Sequence, residues 1–215
     1  MRMIRVTYSK TDRCIFVSHL ELLRTFNRAL MCSVIPVCCS EGFNPHYLIT
    51  FALPLPTGCS SVCEYADIKI QDGYEGDAVL SLNKNLPDGI KITGCGDPDT
   101  KMQDITAARY ELSFETGSEK DAQAFADKAL TDLQSDGMFI EKLGKSNGRK
   151  VVKQIYLTGL VKDLSVSVSG CNAVFELTLP ANGPQNINPV KLAMKLIKMS
   201  GVTVTDLHIK RTQII

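Results

Sequence analysis

The apolar pattern of this chain switches period along its length, from two to about 3.6 and back, and that switching confines it to a mixed α and β fold. Residues 2–9 alternate as a strand does. Ser18-His19-Leu20-Glu21 has the form of a capping box, in which a Ser hydroxyl accepts from the third helical N–H and the Glu carboxylate reaches back. A helix is predicted over 19–33, with Leu22, Leu23, Phe26, Ala29 and Leu30 on one stripe. Tyr47 to Ala52 is a short strand, and Cys63 to Ile70 alternates as the next. A short helix near 75–84 and a strand near 89–95 follow.

The order β-α-β-β-α-β is that of the ferredoxin-like split unit. Gly96-Asp97-Pro98-Asp99 is a turn cluster and marks the boundary. The second half repeats the scheme. It has a strand over 107–115, a helix over 118–133, and strands over 151–156, 160–169 and 173–179. Turns are expected at 144–148 and 169–172. Asn188 caps a last helix with Pro189 at its first position, Gly201 ends it, and 202–210 is a closing strand. The expected fold is α+β, two ferredoxin-like halves with mainly antiparallel sheets, spanning 1–103 and 104–215.

No apolar run approaches the roughly 18 residues that cross a bilayer, and the first residues lack the apolar core of an export signal. A cytoplasmic, reducing location with no membrane contact is expected, so the eight cysteines should be free thiols. Most have apolar neighbours, as small buried hydrophobes do. Charge is uneven: residues 1–51 hold six Lys and Arg against three Asp and Glu, 52–145 nine against 17, and 146–215 nine against three. Basic ends around an acidic middle suit an anionic partner.

The densest chemistry lies in residues 8–67. Tyr8-Ser9-Lys10, Phe16-Val17-Ser18-His19-Leu20-Glu21-Leu22-Leu23-Arg24, Arg28-Ala29-Leu30, Ser40-Glu41-Gly42-Phe43-Asn44-Pro45-His46, Leu53-Pro54-Leu55-Pro56-Thr57-Gly58 and Ser60 with Glu64, Tyr65 and Asp67 come in order. This succession resembles the radical SAM-linked protein family. The resemblance implies a radical SAM protein as partner, either a separate chain or fused, and it brings no established activity. Members of that family usually have Gly where this chain has Asp12. Lys10-Thr11-Asp12 is also loosely similar to the Thr-Asp of tRNA pseudouridine synthases, whose halves are ferredoxin-like, which makes Asp12 a candidate nucleophile.

At 100° per residue His19 lies on the side of Leu23, Phe26 and Leu30, and Arg24 and Arg28 on the opposite, exposed side. Gly42-Phe43-Asn44-Pro45-His46 is a turn by composition. Ser18, His19, Ser40, Asn44 and His46 are therefore expected to line one binding pocket, with Arg24 and Arg28 at its lip; the alternative is that the two histidines only pin a loop. Lys191, Lys195 and Lys198 form a stripe on the last helix, and with Arg149, Lys150, Lys153, Lys210 and Arg211 could follow a phosphate backbone.

Cys59 and Cys63 have the first spacing of a radical SAM cluster motif, but the next required position is Ala66. Two thiolates do not hold such a cluster, so none is expected here. The absence of a Cys-x2-Cys pair excludes a zinc ribbon, and no metal is expected, although His19 and His46 with Cys38, Cys39 or Asp12 leave one open combination. The expected function is an accessory, substrate-recognition module for a radical SAM enzyme acting on a structured RNA. A diverged pseudouridine synthase-like enzyme and a pure protein-docking module are the alternatives.

Overall fold

The computed structural model describes residues 1–146 and 149–215, and the side chains of residues 145, 146 and 149 lie outside that description. The chain divides into two compact units, Met1–Ile105 with Ile214, and Thr106–Gln213 with Ile215. Each is mixed α and β with antiparallel pairing. No helix among the described residues is long and apolar enough to cross a membrane.

The first unit runs β1 (Arg2–Lys10), a 3-10 turn (Asp12–Phe16), α1 (His19–Met31), β2 (Ile49–Phe51), β3 (Cys59–Ile70), α2 (Ala78–Asn83) and β4 (Ile90–Gly96). Its strands lie in the order β4-β1-β3-β2. Ser18 and Glu21 form the full capping box that starts α1. The stripe buries Leu22, Phe26, Ala29 and Leu30 against Ile4, Val6, Tyr8, Ala66 and Ile68 of the sheet. Leu23 is only half-buried. Phe26 meets Tyr8 and Phe51 edge-on, with centroids 5.0 and 5.1 Å away. At the other end, the Asn83 amide bonds both the N–H and the carbonyl of Ile92, at 2.8 and 2.9 Å, which ties α2 to β4.

Two features prepare the turn after β1. Buried Lys10 donates from Nζ to the carbonyls of Ile15 and Val17, at 3.2 and 2.8 Å. Gly89 has φ +89, and a Cβ there would stand 2.7 Å from the Thr11 carbonyl. Only glycine fits that approach. Arg5 is buried and paired with Asp67 through two bonds of 2.7 and 2.9 Å, and it also donates to the Thr100 carbonyl at 2.8 Å. The hydrogen bonds from Asp67 hold the Arg5 guanidinium above its ordinary pKa.

The second unit runs β5 (Ala107–Thr116), α3 (Glu119–Gln134), β6 (Phe139–Ser146), β7 (Arg149–Tyr156), β8 (Lys162–Ser169), β9 (Asn172–Pro180), α4 (Pro189–Ser200) and β10 (Val204–Ile214). Its main sheet has the order β10-β5-β9-β8, while β6 and β7 pair as a separate ribbon. Taking β5, β8, β9 and β10 as first to fourth strands reproduces the order of the first unit, with a hairpin inserted after the first helix. Phe114, Phe125 and Phe175 cluster in the core at 4.6 to 6.0 Å. Asn188 accepts from Val190 and Lys191 at the start of α4, and Gly201 closes it at φ +69.

Several expectations need correction. Strand β6 is absent from the sequence reading because Phe139-Ile140-Glu141-Lys142 does not alternate. Strand β3 begins four residues before Cys63, and β10 runs to Ile214. The expected turn at 144–148 falls partly on residues 147 and 148, outside the described residues. All eight cysteines are free, but Cys32, Cys39, Cys95 and Cys171 are exposed. Apolar sequence neighbours do not settle which way a thiol faces in strands and loops.

Arg5→Met is expected to cost about 3–5 kcal/mol, because it strands the buried Asp67 carboxylate. Urea denaturation checks this. The double variant Arg5→Met with Asp67→Leu should recover much of the loss.

Candidate functional site

The loop between α1 and β2 is fastened at its base. Ser40 donates from its N–H to the His46 carbonyl at 2.8 Å, and its Oγ accepts from the His46 N–H at 3.1 Å. The same Oγ lies 2.8 Å from His46 Nδ1, which is 3.4 Å from the Asn44 carbonyl. Cys39 and Tyr47 bridge below this pair. Gly42, at φ +119, turns the tip, where Phe43 is fully exposed. Ser40 thus occupies one imidazole nitrogen, and Nε2 has no hydrogen-bond partner among the described residues.

This loop faces α1 across an open cavity of about 780 Å³. The helix contributes Arg24, Asn27, Arg28 and Met31, which recur on one face, and the loop contributes Pro45, His46 and Tyr47. Among the described residues neither guanidinium makes an ion pair or hydrogen bond. The Asn27 Oδ1 is buried with no hydrogen-bond partner among the described residues. Two unpaired cations, an oriented imidazole and apolar walls suit an anion carrying an apolar body.

Ser40 and Asn44 meet His46 through hydrogen bonds, but of the five residues expected to line the pocket only His46 lines this cavity, together with Arg24 and Arg28. Ser18 and His19 are not among its lining residues. Ser18 is occupied in the helix cap, and His19 packs edge-on against Phe51 with centroids 5.5 Å apart. The sequence reading missed Asn27, Met31 and Tyr47; the spacing 24, 27, 28, 31 was the available signal for the helix part.

Asp12 is exposed and sits at φ +51, at the start of the 3-10 turn, with its carboxylate accepting from Thr11 Oγ1 at 2.8 Å. That backbone region favours glycine. Beneath the turn Cys14 is buried and donates to the Asp88 carbonyl, and burial pushes its thiol pKa up. Among the described residues no three His, Cys, Asp or Glu side chains are grouped to hold a metal, so His19 and His46 form no such set with Cys38, Cys39 or Asp12.

The C-terminal cations are less uniform than a stripe. Lys191 donates to the Glu141 carbonyl at 3.1 Å, and Lys195 lies 4.8 Å from the centroid of Phe139, so both turn toward the β6–β7 ribbon. Lys198, Lys150 and Lys153 are exposed. Arg211 is a correction: it is buried, donates to Tyr110 Oη at 3.0 and 3.1 Å, and offers no phosphate contact. The Arg149 side chain lies outside the described residues.

The chain belongs to the family described as "Uncharacterized protein conserved in bacteria (DUF2344)", whose model matches residues 3–189. No curated protein matches it significantly. Among solved structures it resembles a chain in the crystal structure of a Cbf5-Nop10-Gar1 complex, at 12% identity and a TM-score of 0.51. That likeness covers 98% of this chain and 48% of the other, so this chain spans about half its length. A protein of unknown function from Galdieria sulphuraria aligns over 96% of each chain at 15% identity, with a TM-score of 0.25. The first likeness is one of fold.

Ser40→Ala is expected to speed amide hydrogen exchange at His46 while lowering global stability by no more than about 1.5 kcal/mol. Exchange measured by NMR and a denaturation curve separate the two effects. Thiol alkylation of the folded chain should label Cys32, Cys39 and Cys171 quickly, label Cys95 more slowly because burial raises its thiol pKa, and spare Cys14. The raised Cys14 pKa has a defined sign: the folded state favours the thiol, so stability falls as pH rises above the unfolded thiol's value.

Proposed function

We propose that this chain is an accessory module that recognises the substrate of a radical SAM enzyme, and that the substrate is a structured RNA. The resemblance over residues 8–67 supplies the partner. The strand order of each unit supports reading both as ferredoxin-like halves. Free thiols in every position suit a reducing, cytoplasmic setting.

One observation carries the reading. Arg24 and Arg28 stand on consecutive turns of α1 with no carboxylate partner among the described residues, beside His46 in the same cavity. Like charges four residues apart destabilise a helix slightly. Their coexistence at a concave site fits an anion brought from outside, and a phosphate is the anion two guanidinium groups bind best. Lys150, Lys153 and Lys198 add exposed charge for backbone contact.

Filter binding to structured cellular RNA should weaken steeply with salt, and removing Arg24 and Arg28 together should reduce the salt slope by about one per lost phosphate contact. Retention independent of salt and of both arginines contradicts the proposal. Co-purification with the radical SAM protein, before and after nuclease, distinguishes an RNA-bridged complex from a pure docking module.

A second reading is favoured by Asp12, an exposed carboxylate held at positive φ. Strained backbone of this kind gathers at functional positions. In that reading the chain is a diverged pseudouridine synthase-like enzyme with Asp12 as nucleophile. Asp12→Asn should then abolish an RNA modification in cells; an unchanged modification profile removes the idea.

A further inference from the structure

The cavity between α1 and the 39–47 loop has parts that backbone contact with a duplex does not use. We propose that it holds one unpaired nucleotide, its phosphate on Arg24 and Arg28 and its base against the loop. This rests on the reading of that cavity as the anion site.

A duplex backbone needs only exposed cations. Here the cations border an open cavity of about 780 Å³, a volume within the range of small-ligand sites. Met31, Pro45 and Tyr47 give it apolar walls. The Asn27 amide lies among them with a buried, unpartnered oxygen. Such an acceptor is costly as it stands, and a base N–H donor turned toward it relieves the cost. Phe43, in the same loop but outside the cavity lining, is the other unexplained feature. It is fully exposed at the tip of a loop that Ser40 and His46 fasten at the base, three residues before His46. Bases of single strands stack on aromatic rings of this kind, while paired bases in a helix are not available to do so.

Phosphate, ribose and base in one unit are offered both by a free nucleoside 5′-phosphate and by an RNA nucleotide in a loop, bulge or strand end. The intact chain is titrated by calorimetry with adenosine, cytidine, guanosine and uridine 5′-monophosphates, with ribose 5-phosphate, with a single-stranded RNA hexamer and with the same sequence fully paired. The nucleotide-containing ligands should bind at least about fivefold tighter than ribose 5-phosphate, from the base contact. Single strand should likewise exceed duplex. Phe43→Ala should lose that base-dependent gain and leave ribose 5-phosphate unchanged. Arg24→Ala or Arg28→Ala should weaken all phosphate ligands about tenfold or more. Occupancy should also slow alkylation of the exposed cavity thiol Cys39 in the unaltered protein, a readout that needs no variant.

Hexamer binding without free nucleotide binding assigns the RNA strand as source, and binding of both assigns either. Structured RNA retained with equal affinity by all three variants, with Cys39 unprotected, overturns the nucleotide site and leaves the RNA reading standing. Free nucleotides bound with no RNA retained does the reverse. Duplex matching single strand also overturns the proposal.

Discussion

Phe26 stands edge-on to both Tyr8 and Phe51, and this contact fixes the rotation of α1 on its sheet. With that rotation set, the helix has no freedom in what it turns outward. Positions 24, 27, 28 and 31 lie on the side away from the buried stripe, and the chain that leaves α1 folds back to wall them in. His19 belongs to the same aromatic group through Phe51, so it serves the packing of α1 and stays apart from the cavity.

The first unit shows how local chemistry positions a site at some distance. Lys10 holds the carbonyls of Ile15 and Val17 and so directs the chain into Ser18, whose hydroxyl caps α1. Gly89 allows the Thr11 backbone to approach, one residue before Asp12 at positive φ. The 39–47 loop needs a different device, since none of its side chains is fully buried. Ser40 supplies it by bonding both the backbone and the ring of His46.

Much of this was legible in the residues. The capping box, the α1 stripe, the Asn-Pro start and Gly end of α4, and the β-α-β-β-α-β order each follow from short-range patterns with a direct physical cause. The bend at Gly42–His46 and its closeness to Ser40 were legible too. What was not legible depended on tertiary placement. Arg211 reads as a surface cation until Tyr110 is seen beside it, and Lys195 reads as part of a stripe until Phe139 lies under it. Strand β6 lacks alternation because its inner and outer positions do not differ cleanly in polarity. The pairing of Arg5 with Asp67 joins residues 62 apart in sequence and leaves no local trace.

The central claim is that RNA meets this chain at the α1 face and the 39–47 loop. Ultraviolet crosslinking of bound RNA, followed by mass spectrometry of the attached peptides, tests it most directly. Crosslinks should fall on the peptide carrying Phe43 and Tyr47. Crosslinks confined to residues 150–210, with none in 24–47, would contradict the account.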